Sequence, residues 1–429
     1  MLMGISMALG VLLLAMVKDH HAYDVFVCIV IALISAGFLA EMVKNRRFRV
    51  CQIPIVLGYF FRLALLFYDV YSSDPFNLPL VGGPMTSDPL GFYNSALLAA
   101  QGQPFSYGGN FPAVMGAVFA LTGASRLWAE YLVMLISVGT MLVVAQIFSD
   151  LKLSRRSSRL GMLFYALMPN FALLSVIFRR ETLIALFVAL SVMYFVRWAM
   201  AKEGDRPFVL CILFSLMASL FHSGTGLIAV GYLGFRVLYD RRTCSFRLKT
   251  ANVVAGVFFL LAFMVVMSRY GSVFFAKLER LENGVASVSS VRDAGGSSYA
   301  RYVGDSRTPL RMALFTVPRL MYFMFSPFPW QWRGMNDIIT FVMSSCMYLF
   351  VLADAVRCIR RFDRQKRALV IMLVCTAMLI SFVFSWGVTN TGTATRHRDK
   401  FLALYAVVFA LCRDVSVRKV RRRRSARLR

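Results

Sequence analysis

The sequence predicts an all-α polytopic membrane protein, on three observations. Apolar residues make up 59% of the 429-residue chain and charged residues only 16%, where a soluble domain carries about 25% charged residues. The apolar residues gather in long blocks, such as 251–268 and 369–386, which match a hydrocarbon layer of roughly 30 Å at about 1.5 Å rise per residue. The basic residues fall between these blocks in a pattern that alternates from one side of a membrane to the other. Backbone polar groups in lipid must be satisfied within their own segment, so the blocks are expected to be helices.

About a dozen spans are expected, near residues 2–17, 24–43, 53–71, 127–148, 160–177, 182–200, 207–221, 225–239, 250–268, 337–356, 367–387 and 400–413. The first block has no basic stretch before it and no small-residue cleavage site before Lys18, so it reads as a span rather than a leader. The basic segments at 44–47, 152–159, 241–249, 357–367 and 413–429 are expected in the cytoplasm. Residues 72–126 and 269–336 then form two long external loops, and 388–399 a shorter one. Each long loop carries an apolar stretch, 111–121 and 312–325, that reads as a helix lying in the interface. The expected organisation is a single transmembrane domain over 1–412 and a basic cytoplasmic tail over 413–429.

The formal charge of +27 follows the positive-inside bias rather than a single-faced basic patch, which argues against a nucleic-acid partner. The tail serves as a topology anchor or binds anionic lipid. The eight cysteines show no CxxC spacing, so neither a disulfide framework nor a zinc site is indicated, and packing is the simpler role.

Several polar groups stand out in the external segments. Asp88-Pro89 opens a short helix; its carboxylate either caps that helix or is a fixed functional group. Arg179-Arg180-Glu181 lies between two spans. Its arginines either snorkel to head groups or hold a phosphate through forked hydrogen bonds. His222 sits in a polar Gly-containing turn, as an interfacial histidine or a proton-transfer group. Trp330, Trp332 and Arg333 follow two prolines, and the tryptophans either anchor at the membrane boundary or stack on a sugar ring. The segment 389–400 crowds Arg396, His397, Arg398, Asp399 and Lys400 at one span end, where concentrated charge marks a functional site. A carboxylate, phosphate-binding arginines, histidines and tryptophans on one side of a membrane suit glycosyl transfer from a polyprenyl-linked donor.

The order of these residues resembles the GT-C superfamily of integral membrane glycosyltransferases, and within it the bacterial O-antigen and exopolysaccharide polymerases. Asp88 in the first external loop is followed by Tyr93, a juxtamembrane apolar helix opening at Pro112, a Gly123-x-Ser125 turn into a span, and Glu181 after the span containing Pro169. The Pro-Phe-Pro-Trp element at 327–330 and the Asn-x-Gly-Thr-x-x-Arg-His-Arg-Asp element at 390–399 complete the resemblance. It implies a GT-C-like fold with Asp88 as base or metal-associated carboxylate. Glu181 and His397 are the alternatives for that role, and His222 a more distant one. Independently of the resemblance, four guanidiniums on the side where the positive-inside bias disfavours them put Arg179, Arg180, Arg396 and Arg398 on the donor's phosphates, with His222, Trp330, Trp332, Arg333 and Lys400 as expected substrate contacts. A metal, if used, would be Mg²⁺ or Mn²⁺ on Asp88 and Glu181. Glu181 where the family often has Asp, and the preceding arginine pair, weigh against metal dependence. The implied partners are a lipid-linked sugar donor, a glycan or lipid acceptor and membrane lipids. The implied location is the cytoplasmic (inner) membrane, multi-pass, with both termini in the cytoplasm. A transporter or flippase of lipid-linked sugars, or a non-catalytic partner in a polysaccharide assembly machine, is the alternative; the chain shows no internal repeat of the kind transporters carry.

Overall fold

The computed structural model describes residues 1–71, 88–201, 204–247, 250, 254, 298–299, 302–303 and 309–427. The expected span at 250–268 apart from residues 250 and 254, the start of the first long loop and most of the second lie outside the described residues. The described chain is overwhelmingly helical. In order it forms α1 (Leu2–Val17), α2 (Tyr23–Lys44), α3 (Gln52–Tyr71), α4 (Asp88–Ala100), α5 (Asn110–Thr122), α6 (Arg126–Asp150), α7 (Arg155–Ala166), α8 (Pro169–Leu174), α9 (Glu181–Met200), α10 (Arg206–Phe221) and α11 (Leu227–Leu238). It continues through α12 (Pro309–Phe325), α13 (Met335–Arg361), α14 (Arg364–Gly387), α15 (Thr391–Asp399) and α16 (Leu402–Arg427). Among the described residues, six helices are long and apolar enough to cross a membrane: α2, α3, α6, α9, α13 and α14. Shorter apolar helices include α1, α5, α10 and the 314–325 part of α12. The chain is an all-α membrane protein.

Two compact units divide the chain: residues 1–190 with 416–429, and residues 191–415. In the first unit α1 and α2 approach closely because small residues lie between them. A side chain at Gly37 would meet Ser6 Oγ at 2.1 Å. Hydroxyl groups tie the next helices together. Tyr59 of α3 bonds Ser35 of α2 at 2.7 Å and Tyr131 of α6 at 3.0 Å. Ser125 caps α6 by accepting from Trp128 N–H at 3.2 Å, and the Trp128 indole donates to Thr122 Oγ1 at 2.9 Å.

The expected span at 160–177 is instead two helices, α7 and α8, separated at Leu167-Met168. Pro169 supplies the reason: it has no N–H and drives the residue before it out of the helical region. Met168 accordingly has φ −60° and ψ 110°. From Ser175 to Arg180 the backbone is not helical, and α9 begins at Glu181.

In the second unit α14 is capped by Asp363, which accepts from Lys366 N–H at 2.8 Å. It packs against α11, α12 and α15. The turn between α10 and α11 is closed by Thr225 Oγ1, which donates to His222 O at 2.7 Å. A wide π-turn, Phe341–Ser345, interrupts α13 and leaves Ser344 and Ser345 buried. The polar stretch expected as an external turn is helix α15, capped by Asn390 accepting from Thr393 N–H at 3.2 Å. α16 runs to Arg427, so the basic segment expected as a separate tail continues a helix.

Candidate functional site

In the first unit, Asp88 opens α4, and its Oδ1 accepts the Tyr107 hydroxyl at 2.6 Å. The local sequence explains why this bond forms. A side chain at Gly91 would meet the Tyr107 ring at 2.7 Å, so glycine lets the ring lie across the helix. Gly108 and Gly109 follow with φ +92° and +65°, backbone that favours glycine, and they turn the chain into α5. The chain thus returns to the start of α4, where Asp88 meets Tyr107, and α5 packs along α4, with Gly108 against Phe92 and Gly116 against Ala99.

Beneath this pair is a floor of rings. Phe111 lies 5.5 Å from Phe92 and 5.2 Å from Phe178, Phe119 lies 5.7 Å from Phe178, and Tyr93 lies 6.0 Å from Phe178. Phe178 is fully buried and immediately precedes Arg179-Arg180-Glu181, so it fixes where those residues emerge. The Arg180 guanidinium sits 5.7 Å from the Phe92 ring centre. Arg179 is buried. Burial pushes the Tyr107 phenol up to about 12, helped by the hydrogen bond to Asp88 and that carboxylate's charge, while Arg180 and Arg179 oppose the rise. Asp88, Tyr107, Arg179 and Arg180 are thus one electrostatic group. Glu181 is buried in the first turn of α9.

The same unit buries Asp69 and Arg62, two mid-span ionisable residues that by sequence are close enough to a span end to snorkel, and buries Glu130 as well. Arg126 donates to Asp69 Oδ2 at 2.7 Å and to Glu130 Oε1 at 3.0 Å. Asp69 is 3% and Glu130 2% exposed. The signal was available, since Arg126 and Glu130 are four apart on a helix, but Asp69 lies on another helix. Deeper in α3, Arg62 is fully buried and donates to Ser137 Oγ at 2.9 Å, Gly58 O at 3.1 Å and Ala166 O at 2.6 Å.

In the second unit the residues of 389–400 separate into different roles. Arg398 is 1% exposed. It donates to the carbonyls of Met324 and, at 3.1 Å, Ser326. It also bonds Thr395 Oγ1 at 2.7 Å and Ser345 Oγ at 3.4 Å. Sequence reading expected this guanidinium to face phosphate; the structure places it as a clasp on the end of α12. Burial lowers its proton affinity. Asp399 is also buried and accepts the Tyr348 hydroxyl at 2.8 Å. Burial raises its carboxyl to about 7, against the pull of that hydrogen bond and of Arg398.

His397 and His222 do come together, with ring centres 5.0 Å apart. Both pack on Phe384, at 4.5 Å and 5.2 Å. Lys400 Nζ lies 3.1 Å from His397 Nδ1. Arg396 is in the last turn of α15. Trp330 stacks on Phe328 at 4.7 Å, donates to Tyr322 OH at 3.1 Å, and is 60% exposed. The Trp332 indole donates to Pro327 O at 3.2 Å. Arg333 pairs with Asp337 at 3.6 Å.

Among the described residues, one group of three His, Cys, Asp or Glu side chains has metal-ligating spacing: Asp354, Cys358 and Cys412. Neither Asp88 nor Glu181 belongs to it. Comparison of the chain with protein-family models, with curated proteins and with solved structures finds no match.

Proposed function

We propose that the chain is a membrane glycosyltransferase or polysaccharide polymerase. It would transfer sugar from a polyprenyl-phosphate or polyprenyl-diphosphate donor to a glycan or lipid acceptor on the outer face of the cytoplasmic membrane. One observation carries this reading: a carboxylate fixed by a tyrosine hydroxyl, beside two arginines, over an aromatic floor. An acceptor hydroxyl needs a base as it attacks the anomeric carbon. Asp88 would take that proton, with the Tyr107 hydroxyl, donating to Oδ1, fixing the orientation of the carboxylate. The C–O bond to the donor phosphate breaks as the new glycosidic bond forms, and the leaving phosphate carries negative charge. Arg179 and Arg180 stabilise that charge, as preorganised cations do at a developing anion. The reaction balances without a metal; Mg²⁺ or Mn²⁺ would need further donors beside Asp88 and Glu181.

The side of the membrane rests on the basic segments at 44–47, 152–159, 241–249, 357–367 and 413–429, which the positive-inside bias keeps in the cytoplasm, with both termini. The exposed Trp330 ring adds a surface of the kind that stacks on sugars. His222, His397 and Lys400 form a second group with proton-transfer capacity.

The test is sugar transfer from a lipid-linked donor by purified Asp88→Asn. Loss of transfer with retained donor binding supports the reading. Transfer at the wild-type rate would end it. Transport of the same lipid is the second reading, favoured by the buried Asp69 and Glu130 carboxylates that pair with the partly exposed Arg126 between membrane-length helices, because buried charge in spans often marks a translocation path. Movement of the lipid across vesicles without any glycosidic product would select it.

A further inference from the structure

Two of the eight cysteines, far apart in sequence, meet at one point in the second unit. Cys358 lies in the last turns of α13, one helical turn after Asp354, and Cys412 lies on α16. All three are buried. The Cys358 thiol lies 3.9 Å from Asp354 Oδ1, and one ligand atom from each of the three side chains falls within 4.8 Å of the others. A tetrahedral zinc ion with Zn–S near 2.3 Å and Zn–O near 2.1 Å spaces its sulfurs about 3.8 Å apart and sulfur from oxygen about 3.6 Å. The observed side chains are within a rotamer adjustment of that arrangement.

The surroundings orient the carboxylate. Arg413 forms an ion pair with Asp354 Oδ2, which leaves Oδ1 turned to the thiol. The guanidinium is itself held over Phe350 and Phe409, at 5.6 Å and 5.4 Å from their ring centres. Partners of this kind behind a ligand fix its direction and strengthen metal affinity. Charge also balances. Two thiolates, one carboxylate and one guanidinium sum to −2, which a single divalent cation neutralises. A monovalent cation would leave net charge in a buried place, which is costly.

We propose that Asp354, Cys358 and Cys412 form a binding site for one thiophilic divalent cation, zinc in chemical class, which ties α13 to α16. Binding displaces two protons: the cation forms two metal–sulfur bonds and one metal–oxygen bond, both thiol S–H bonds break, and the protons pass to water. No electron is transferred, and a water molecule completes the fourth position. The site stands independently of the proposed sugar transfer, so either can fail without the other.

The full chain, purified in detergent under reducing conditions and stripped with a chelator, is titrated with Zn²⁺ alone in competition with a chromogenic chelator. Cd²⁺ is added separately to read the ultraviolet band of sulfur-to-metal charge transfer. One equivalent should bind, the band should appear, and Cys358→Ser and Cys412→Ser should each weaken binding at least about tenfold. Cys375→Ser, which changes an exposed cysteine elsewhere, should bind as wild type does. Should the serine variants fail to fold, the wild-type chain still decides the matter. Cd²⁺ should then raise the temperature at which the buried Cys358 and Cys412 become reactive to maleimide, read by peptide mass. The proposal is overturned by wild-type protein that binds no Zn²⁺, by binding unaffected in folded serine variants, by a temperature of Cys358 and Cys412 labelling that Cd²⁺ leaves unchanged, or by their recovery from the reduced protein as a disulfide.

Discussion

Replacing Arg398 with methionine tests whether this arginine is a clasp or a ligand group. Methionine retains much of the stem volume and removes the fork. The wild-type guanidinium donates to the Met324 and Ser326 carbonyls, to Thr395 and to Ser345. The hydroxyls can rotate to other acceptors, but the two carbonyls cannot, and a buried acceptor left without a donor costs about 1–3 kcal/mol. Removing the buried charge returns part of that, so a net loss of about 3 kcal/mol is expected. At roughly 2–4 °C per kcal/mol for a unit of this size, melting should fall by about 6–12 °C. Lysine, able to reach one carbonyl, should lose about half as much. The assay is thermal unfolding in detergent, followed with a dye that fluoresces on reacting with thiols, since Cys358 and Cys412 are buried in the same unit. Melting of Arg398→Met within about 1 °C of wild type would refute the clasp. Arg398 would then be available for the ligand-facing role that sequence reading assigned to it.

Other perturbations follow from the same geometry. Tyr107→Phe removes the 2.6 Å bond to Asp88 and should slow sugar transfer about tenfold, the kinetic equivalent of one charge-assisted hydrogen bond; an unchanged rate would detach Tyr107 from the site. Arg180→Lys should weaken donor binding about tenfold while melting stays unchanged, because an ammonium lacks the planar fork; equal binding isotherms would rule that out. Gly116→Leu should force α4 and α5 apart, since even a Cβ there would lie 2.6 Å from Ala99 Cβ and 2.8 Å from Ala96 O; wild-type melting and transfer would contradict the packing. For Asp399, burial raises the carboxyl to about 7, so the folded chain keeps a proton that the unfolded chain has already released. Its contribution is greatest below the ordinary carboxylate value of about 4 and declines as pH rises through about 7. Asp399→Asn should therefore flatten melting temperature between about pH 4 and pH 7, and a parallel pair of curves would show that another group titrates.

The apolar blocks made α2, α3, α6, α9, α13 and α14 legible, because length and hydropathy are one-dimensional properties. The break before Pro169 was legible too, yet the continuous apolar character of 160–177 masked it. α15 was not read as a helix because its residues are polar, although Asn390 three places before Thr393 is a capping signal. Asp88 and the paired arginines could be chosen from composition and position, but Tyr107 could not. Nothing in its own neighbourhood announces a partner; the Gly91 gap and the Gly108-Gly109 turn create it. Arg398 shows the opposite failure. Its type and place suggested a ligand, while the carbonyls it holds belong to a segment more than 70 positions earlier. The meeting of Cys358 with Cys412 is equally non-local, so spacing rules that look for CxxC pass over it.

Arg62 bears on how the protein is made. On translocon-based scales, an arginine at the centre of a helix costs about 2.5–3.5 kcal/mol to place in lipid. α3 also carries Asp69 near its other end. The groups that accept from Arg62, apart from Gly58 in its own helix, are Ser137 on α6 and Ala166 at the end of α7. The cation that pairs with Asp69 is Arg126, at the start of α6. All of these are synthesised after α3. During synthesis α3 therefore leaves the insertion channel at a cost until α6 and α7 emerge, and it favours waiting at the channel wall to enter the bilayer together with them. The order of the helices along the chain thus sets a minimum length of nascent protein before this part of the membrane domain can settle.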